Sequence, residues 1–244
     1  MGLGVIILAG GLPARGLWEI CQKRMIDIVL NAVLGIDPNE IVLVGDRSWI
    51  NEFQNPSVTK LECAGSMIEN LKAGLRTLKT KQVLIITCDL PFVTDIAIRK
   101  FIAEASSLSA DLVYSICTKY ECQALAPGMK RTCVGLRDGV FTGGNAFYIK
   151  NREALKDKFD LVESAYAMRK KPMKLAGMLG GWAIANIIIS KLIGICCLSV
   201  GDLETTAAKA FGLSLRACVS HPSLGSDVDT MQQLVVAEGI VKTR

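Results

Sequence analysis

Histidine is almost missing from this chain: His221 is the only one among 244 residues. That excludes histidine-rich zinc cages and leaves any histidine-based nucleophile activation with a single candidate. His221 stands directly before Pro222 and reads as a loop residue. Nine cysteines are present, but none form a CxxC pair, so a zinc ribbon lacks its paired ligands. An odd count, with Cys196-Cys197 inside an apolar run, reads as buried free thiols in a reducing cytosol. Aromatics are sparse at 6%, and the net charge of +5 comes from 28 basic residues against 23 acidic ones. The basic residues are scattered, with their tightest cluster at Arg169-Lys170-Lys171. A nucleic-acid surface needs a stripe of Lys and Arg with interleaved aromatics, so that class is excluded. A mild positive balance suits a small anionic ligand.

An uninterrupted membrane-length run is missing as well. The chain is apolar from Leu175 to Val200, but Gly180-Gly181, Asn186 and Lys191 break it. A spanning helix needs about 20 apolar residues without such a charge. The stretch therefore predicts a buried helix over about 173–190 and a core strand over about 192–198. The apolar start, Met1 to Leu8, has no basic leader and runs straight into Gly10-Gly11, so a signal peptide is not expected. The expectation is a cytoplasmic protein with no membrane partner.

What is present is globular. Half the residues are hydrophobic and 21% are charged. The length suits one large α/β domain with a sizeable core, here residues 1–244. Four short apolar runs, Leu3–Leu8, Ile41–Val44, Val83–Ile86 and Leu112–Ile116, lack polar alternation. Each reads as a strand buried on both faces, as in a parallel sheet. Between them lie helical patterns: Met25 to Leu34, a stripe of Ile68, Leu71, Leu75 and Leu78, and a third after Thr94. Ser66 and Glu69 form a capping box at the start of the second. A further strand is expected over Ala146–Ile149, led in by Gly143-Gly144-Asn145, and a last helix over about 230–238. Strand–helix alternation predicts a single doubly wound, mostly parallel sheet, with ligands beyond the carboxyl ends of its strands.

Chemistry-bearing residues gather at those ends. Leu8-Ala9-Gly10-Gly11 closes the first strand, and Arg15 follows. The glycines would let backbone N–H groups approach a phosphate; the alternative is a simple tight turn. No GxGxxG and no Walker lysine occur, which argues against dinucleotide and P-loop readings. Asp89, after the third run, sits where a hard cation bridging phosphates would be held, or acts as a cap. Asp227 and Asp229 share a face if their segment is extended; otherwise Asp229 or Thr230 caps the final helix.

Taken together, Leu8-Ala-Gly-Gly11, Thr87-Cys-Asp-Leu-Pro91, Phe141-Thr-Gly-Gly-Asn145 and Asp227-Val-Asp-Thr230 resemble the MobA-like NTP transferases, nucleotidyltransferases of GT-A type fold. The resemblance runs nearly end to end. It is nearest a subgroup of undefined substrate, through Gly65–Asn70, Pro127–Thr132 and Arg169–Pro172. It implies that Leu8, Ala9, Gly10, Gly11 and Arg15 hold the NTP, and that Gly65 and Ser66 border the base. It implies Mg²⁺ on Asp89 and Asp229, with Asp227 a second candidate for the latter role. Gly144 and Asn145 would face a small phosphorylated acceptor, and Arg131, Lys171 or Lys174 could bind its phosphate or simply be solvated. One departure stands out. The family's lysine after the Gly-Gly-x-x-x-Arg stretch is absent from the short Gly16–Gln22 segment, and Lys23 is the nearest substitute. Three readings follow: a Mg²⁺-dependent nucleotidyltransferase, a glycosyltransferase of the same architecture, and a nucleotide-binding homologue without catalysis. The glycosyltransferase would want Asp-x-Asp at the end of a central strand, where Cys88-Asp89-Leu90-Pro91 stands instead.

Overall fold

The computed structural model describes residues 2–10, 14–63, 65–158 and 198–243. The helix and strand expected over 173–190 and 192–198 lie outside these residues, except Leu198, which belongs to no strand. Gly11, Lys171 and Lys174 lie outside them too.

Each of the four apolar runs forms a strand: β1 (Leu3–Ala9), β4 (Glu40–Gly45), β6 (Gln82–Thr87) and β7 (Leu112–Thr118). Between β1 and β4 lie the two short strands β2 (Glu19–Ile20) and β3 (Lys23–Arg24), which pair only with each other. With β5 (Thr59–Glu62), β8 (Val134–Leu136), β9 (Gly139–Ile149) and β10 (Leu215–Val219), the long strands build one eight-stranded sheet. Its order is β10-β7-β9-β6-β1-β4-β5, and β8 pairs with β9. β1 runs parallel to β4 and β6, β4 to β5, and β10 to β7. β9 alone breaks the pattern, pairing antiparallel with β6, β7 and β8.

Burial on both faces explains the unbroken apolar strands. One face of β1, Val5 and Ile7, joins a core with α1 (Met25–Leu34) and α4 (Asp95–Ser107). The other, Ile6 and Leu8, packs with Leu75 of α3 (Met67–Thr77). α3 carries the expected capping box from Ser66 and Glu69, and Thr94 caps α4. Short helices α2 (Arg47–Ile50) and α5 (Lys119–Leu125), then α6 (Val200–Phe211) and α7 (Met231–Lys242), complete the described chain. α7 runs four residues beyond its expected end, and Thr230 caps it with Gln233 as reciprocal partner. Among the described residues no helix is long and apolar enough to cross a membrane.

One expectation is corrected. The strand expected over Ala146–Ile149 begins at Gly139, so Gly143, Gly144 and Asn145 are strand residues and not a lead-in. The glycines are packing requirements: a Cβ on Gly144 would lie 2.0 Å from Ser115 Oγ, where the β7–β9 register shifts between Tyr114 and Ile116. Lys23, the nearest substitute for the family's lysine, stands before α1 and not on it. It sits exposed on the β2–β3 hairpin, whose turn residues Cys21 and Gln22 both take positive φ. Positive φ at both central residues is the signature of a type I′ turn, usually made with Asn or Gly.

Candidate active site

The carboxyl ends of β1 and β6 lie side by side, since Leu8 pairs with Thr87. Chain direction therefore delivers Gly10 and Asp89 to one edge. A cleft of about 300 Å³ opens there, lined by Leu8, Ala9, Gly10, Arg15, Gly65 and Asp89 from the expected set. Met67, Asn70, Thr87 and Cys88 also line it, and sequence reading had not singled them out for that role. Asn70 is 5% exposed, so an amide is buried at the cleft wall on α3. The approach of backbone to cleft at Gly10 is tight: a Cβ would meet Cys63 Sγ at 2.3 Å and Asn70 Nδ2 at 2.9 Å. Ser66 is committed elsewhere. Its N–H donates to Glu69 Oε2 at 2.6 Å and its hydroxyl accepts from Glu69 N–H, so it caps α3 while Gly65 borders the cleft.

Arg15 begins a short 3₁₀ turn, Arg15–Leu17, that packs close on the end of β6: a Cβ on Gly16 would lie 2.9 Å from Cys88 Sγ. The turn aims the Arg15 guanidinium at the acids. It donates to Asp89 Oδ2 at 3.2 Å and to Asp229 Oδ1. Lys23 is not among the cleft's lining residues.

The C-terminal acids reach the same place through backbone pairing. Val228 is fully buried, and its N–H donates to the Asp89 carbonyl at 2.9 Å. This bond brings the segment that carries Asp227 and Asp229 up to Asp89. Asp89, Asp227 and Asp229 each offer a carboxylate oxygen within 4.8 Å of the others. Neither C-terminal acid is spent on capping, because the Thr230 hydroxyl caps α7. Gln233 holds the Asp229 and Thr230 N–H groups through its Oε1.

Each acid has different support. Asp89 accepts from the Thr87 hydroxyl at 2.6 Å, and its side chain is 13% exposed. Burial, reinforced by Asp227, pushes its carboxyl up to about 6; the Thr87 bond and Arg15 pull the other way. Asp229 is also raised, by burial and then by Asp227, against Arg15. Asp227 accepts from Asn145 Nδ2 at 2.9 Å and from Arg131, which also donates to the Asp227 carbonyl. The Arg131 side chain is 11% exposed and its guanidinium is engaged by Asp227; it also borders a separate cavity of about 410 Å³ with Lys119 and Lys130. Nothing in the sequence marks a pairing across 96 positions.

Three carboxylates against two guanidiniums leave the cluster short of positive charge, and oxygen donors this close suit a hard divalent cation. The donor set therefore fits Mg²⁺, with the Arg15 guanidinium spanning Asp89 and Asp229.

A family model for the MobA-like NTP transferase domain matches residues 5–138, more than half of the chain. The chain belongs to the MobA-like NTP transferase family. Family and fold thus agree with the resemblance read from the four motifs. Among solved structures, a hypothetical transferase from Thermus thermophilus superposes with a TM-score of 0.79 at 29% identity, covering 96% of this chain and 100% of that one. A 4-diphosphocytidyl-2C-methyl-D-erythritol synthase from Anaerococcus prevotii gives 0.63 at 13% identity, over 99% and 98% of the two chains. A 2-C-methyl-D-erythritol 4-phosphate cytidylyltransferase from Thermus thermophilus gives 0.56 at 13%, over 99% and 100%. The last two show the shared fold. No curated protein sequence matches the chain significantly.

Proposed function

We propose that this MobA-like protein, taken as one transferase domain over residues 1–244, is a Mg²⁺-dependent nucleotidyltransferase. It would move a nucleoside monophosphate from an NTP to a small phosphorylated acceptor and release pyrophosphate. The observation that carries this reading is the meeting of Asp89, Asp227 and Asp229 within 4.8 Å at the lip of the glycine-walled cleft.

Asp89 and Asp229 would hold Mg²⁺, with Asp227 the alternative to Asp229. The bound ion supplies charge neutralisation at the α-phosphate and the leaving group. The protein's own work is positioning. Gly10 and Gly65 let the nucleotide lie against backbone. Arg15, already within reach of the acids, exchanges carboxylate oxygens for β- and γ-phosphate oxygens. Asn145 and Arg131 fix the Asp227 carboxylate, and Asn145 would face the acceptor, while Gly144 is packed against Ser115 on the other face of β9. An acceptor phosphate oxygen forms a new bond to the α-phosphorus as the bond to the α,β-bridging oxygen breaks. The electron pair leaves on pyrophosphate. A phosphate nucleophile is already ionised at neutral pH, so no general base is needed. One structural neighbour is a cytidylyltransferase of 2-C-methyl-D-erythritol 4-phosphate, a small phosphate monoester, and the same chemical class is proposed here.

One observation favours a second reading, a nucleotide-binding homologue without catalysis. The family lysine is absent, and Lys23 lies on an exposed hairpin outside the cleft lining. Incubation with each NTP, Mg²⁺ and a panel of phosphate monoesters, with pyrophosphate release as readout, separates the two. Release dependent on both NTP and acceptor supports transfer. NTP binding without release in any combination supports the second reading, and release of nucleoside diphosphate from a nucleotide sugar supports a glycosyltransferase instead.

A further inference from the structure

The cavity that Arg131 borders, of about 410 Å³, lies where α5 meets the loop running into β8. That volume is in the range of small-molecule sites. Its lining carries three cations, Lys119, Lys130 and Arg131, and no carboxylate. Elsewhere the chain balances such groups. Asp89 accepts from Arg15 in the glycine-walled cleft, and Glu204 accepts from Arg216 at 2.6 Å in the apolar cavity beside α6. Among the described residues neither Lys119 nor Lys130 has a carboxylate partner. A concavity lined by one sign of charge concentrates ions of the other sign.

The backbone that presents these cations is fixed. The Lys130 carbonyl accepts from Gln233 Nε2 at 3.2 Å, and the Thr132 carbonyl accepts from the Thr142 hydroxyl at 3.0 Å. Met129 is buried between them and α5, its N–H donating to the Ala126 carbonyl at 3.2 Å. Arg131 links the cavity to the acids. Its Nη1 and Nη2 serve the Asp227 carboxylate and carbonyl. A guanidinium has five N–H donors, so donors remain for the cavity side.

We propose that this cavity is a binding site for a phosphate-type anion, separate from the NTP cleft, held by Lys119, Lys130 and the outer edge of Arg131. The site itself does not depend on the transferase reading; its service to an acceptor does. It is tested by calorimetric titration of the full chain with inorganic phosphate, without nucleotide or metal. Both lysines are exposed, so the titration is made at about 0.01 M ionic strength, where the Debye length is about 30 Å. One saturable site is expected. Charge-assisted hydrogen bonds to an anion are each worth about tenfold or more, so Lys119→Ala with Lys130→Ala should weaken phosphate at least about tenfold. Lys79→Ala with Lys81→Ala removes the same charge at the exposed amino end of β6 and should leave the affinity unchanged. Absence of saturable binding overturns the proposal, and so does equal weakening by the two lysine pairs. Phosphate binding lost in Arg15→Ala but kept in the Lys119 and Lys130 double variant also overturns it, because the anion then sits in the NTP cleft. Two sources of the anion separate by kinetics. An acceptor's own phosphate predicts a raised acceptor KM and an unchanged NTP KM in the Lys119 and Lys130 double variant. A free anion predicts both KM values unchanged while phosphate binding is lost, and either result upholds the site. Phosphate bound through the two lysines without pyrophosphate release from any NTP upholds the site and sinks the transferase reading. Pyrophosphate release with no phosphate bound through them upholds transfer and overturns the site.

Discussion

Replacing Asp89 by Asn should stabilise the metal-free protein while destroying its activity. The carboxyl is raised from 3.8 to about 6, first by burial and then by Asp227. A group whose folded value lies above its unfolded one contributes stability below the unfolded value and loses it as pH rises through the folded one. The fold is therefore burdened above about pH 6. Two units correspond to roughly 3 kcal/mol at 1.36 kcal/mol each. Asn keeps an acceptor for the Thr87 hydroxyl, and the loss of the Arg15 attraction is already contained in the raised value; solvent screening at this partly exposed pair cuts the expected gain to about 1–2 kcal/mol. Urea unfolding in EDTA at pH 8 should show the variant more stable by that amount, and at pH 4.5 the difference should shrink to about a third of it. Adding Mg²⁺ and NTP should reverse the order at pH 8, because only the natural protein gains from binding. A variant no more stable at pH 8, or equally favoured at both pH values, would refute the assignment of a desolvated, charge-crowded carboxylate.

The other acids and arginines separate in the same terms. Asp229, 52% exposed, should tolerate Asn with less than about 0.5 kcal/mol of stability change yet lose at least about a hundredfold in kcat; pyrophosphate release and urea melts check both. Arg131→Met leaves Asp227 buried without its guanidinium and should cost about 3 kcal/mol, and adding Asp227→Asn should restore most of the stability but not the activity. Arg15→Ala should raise the KM for NTP; an unaffected KM would leave the Gly10 turn with a structural role only. Lys23→Ala should change neither NTP affinity nor rate, since Lys23 lies outside the cleft lining; a large loss would place this hairpin over the triphosphate.

The parts of the fold that could be read early are those whose local pattern has a single structural solution. Val83–Ile86 has no polar face, so only a strand covered on both sides suits it, and that strand is β6. Ser66 and Glu69 announce their cap by spacing alone, and both reciprocal bonds form. Gly143-Gly144 misled because glycine ordinarily interrupts a strand. Here it is required by Ser115 and Tyr114 on the neighbouring strand, which no local pattern reports. The hairpin beneath Lys23 was hidden for a similar reason: Cys21 and Gln22 take positive φ without being the residues that usually advertise it. At the site, the convergence of Asp89 with the C-terminal acids was expected from the resemblance, and the bond from Val228 N–H to the Asp89 carbonyl realises it. The pairing of Arg131 with Asp227 was not legible, because it depends on where two loops meet in space, not on either neighbourhood in sequence.

The most direct test of the central claim is Mn²⁺ binding, followed by electron paramagnetic resonance, to the full chain in the presence of each NTP. The account predicts one ion held in the natural protein with at least one NTP, and that ion lost in both Asp89→Asn and Asp229→Asn. Retention of the ion with unchanged affinity in both variants would contradict it.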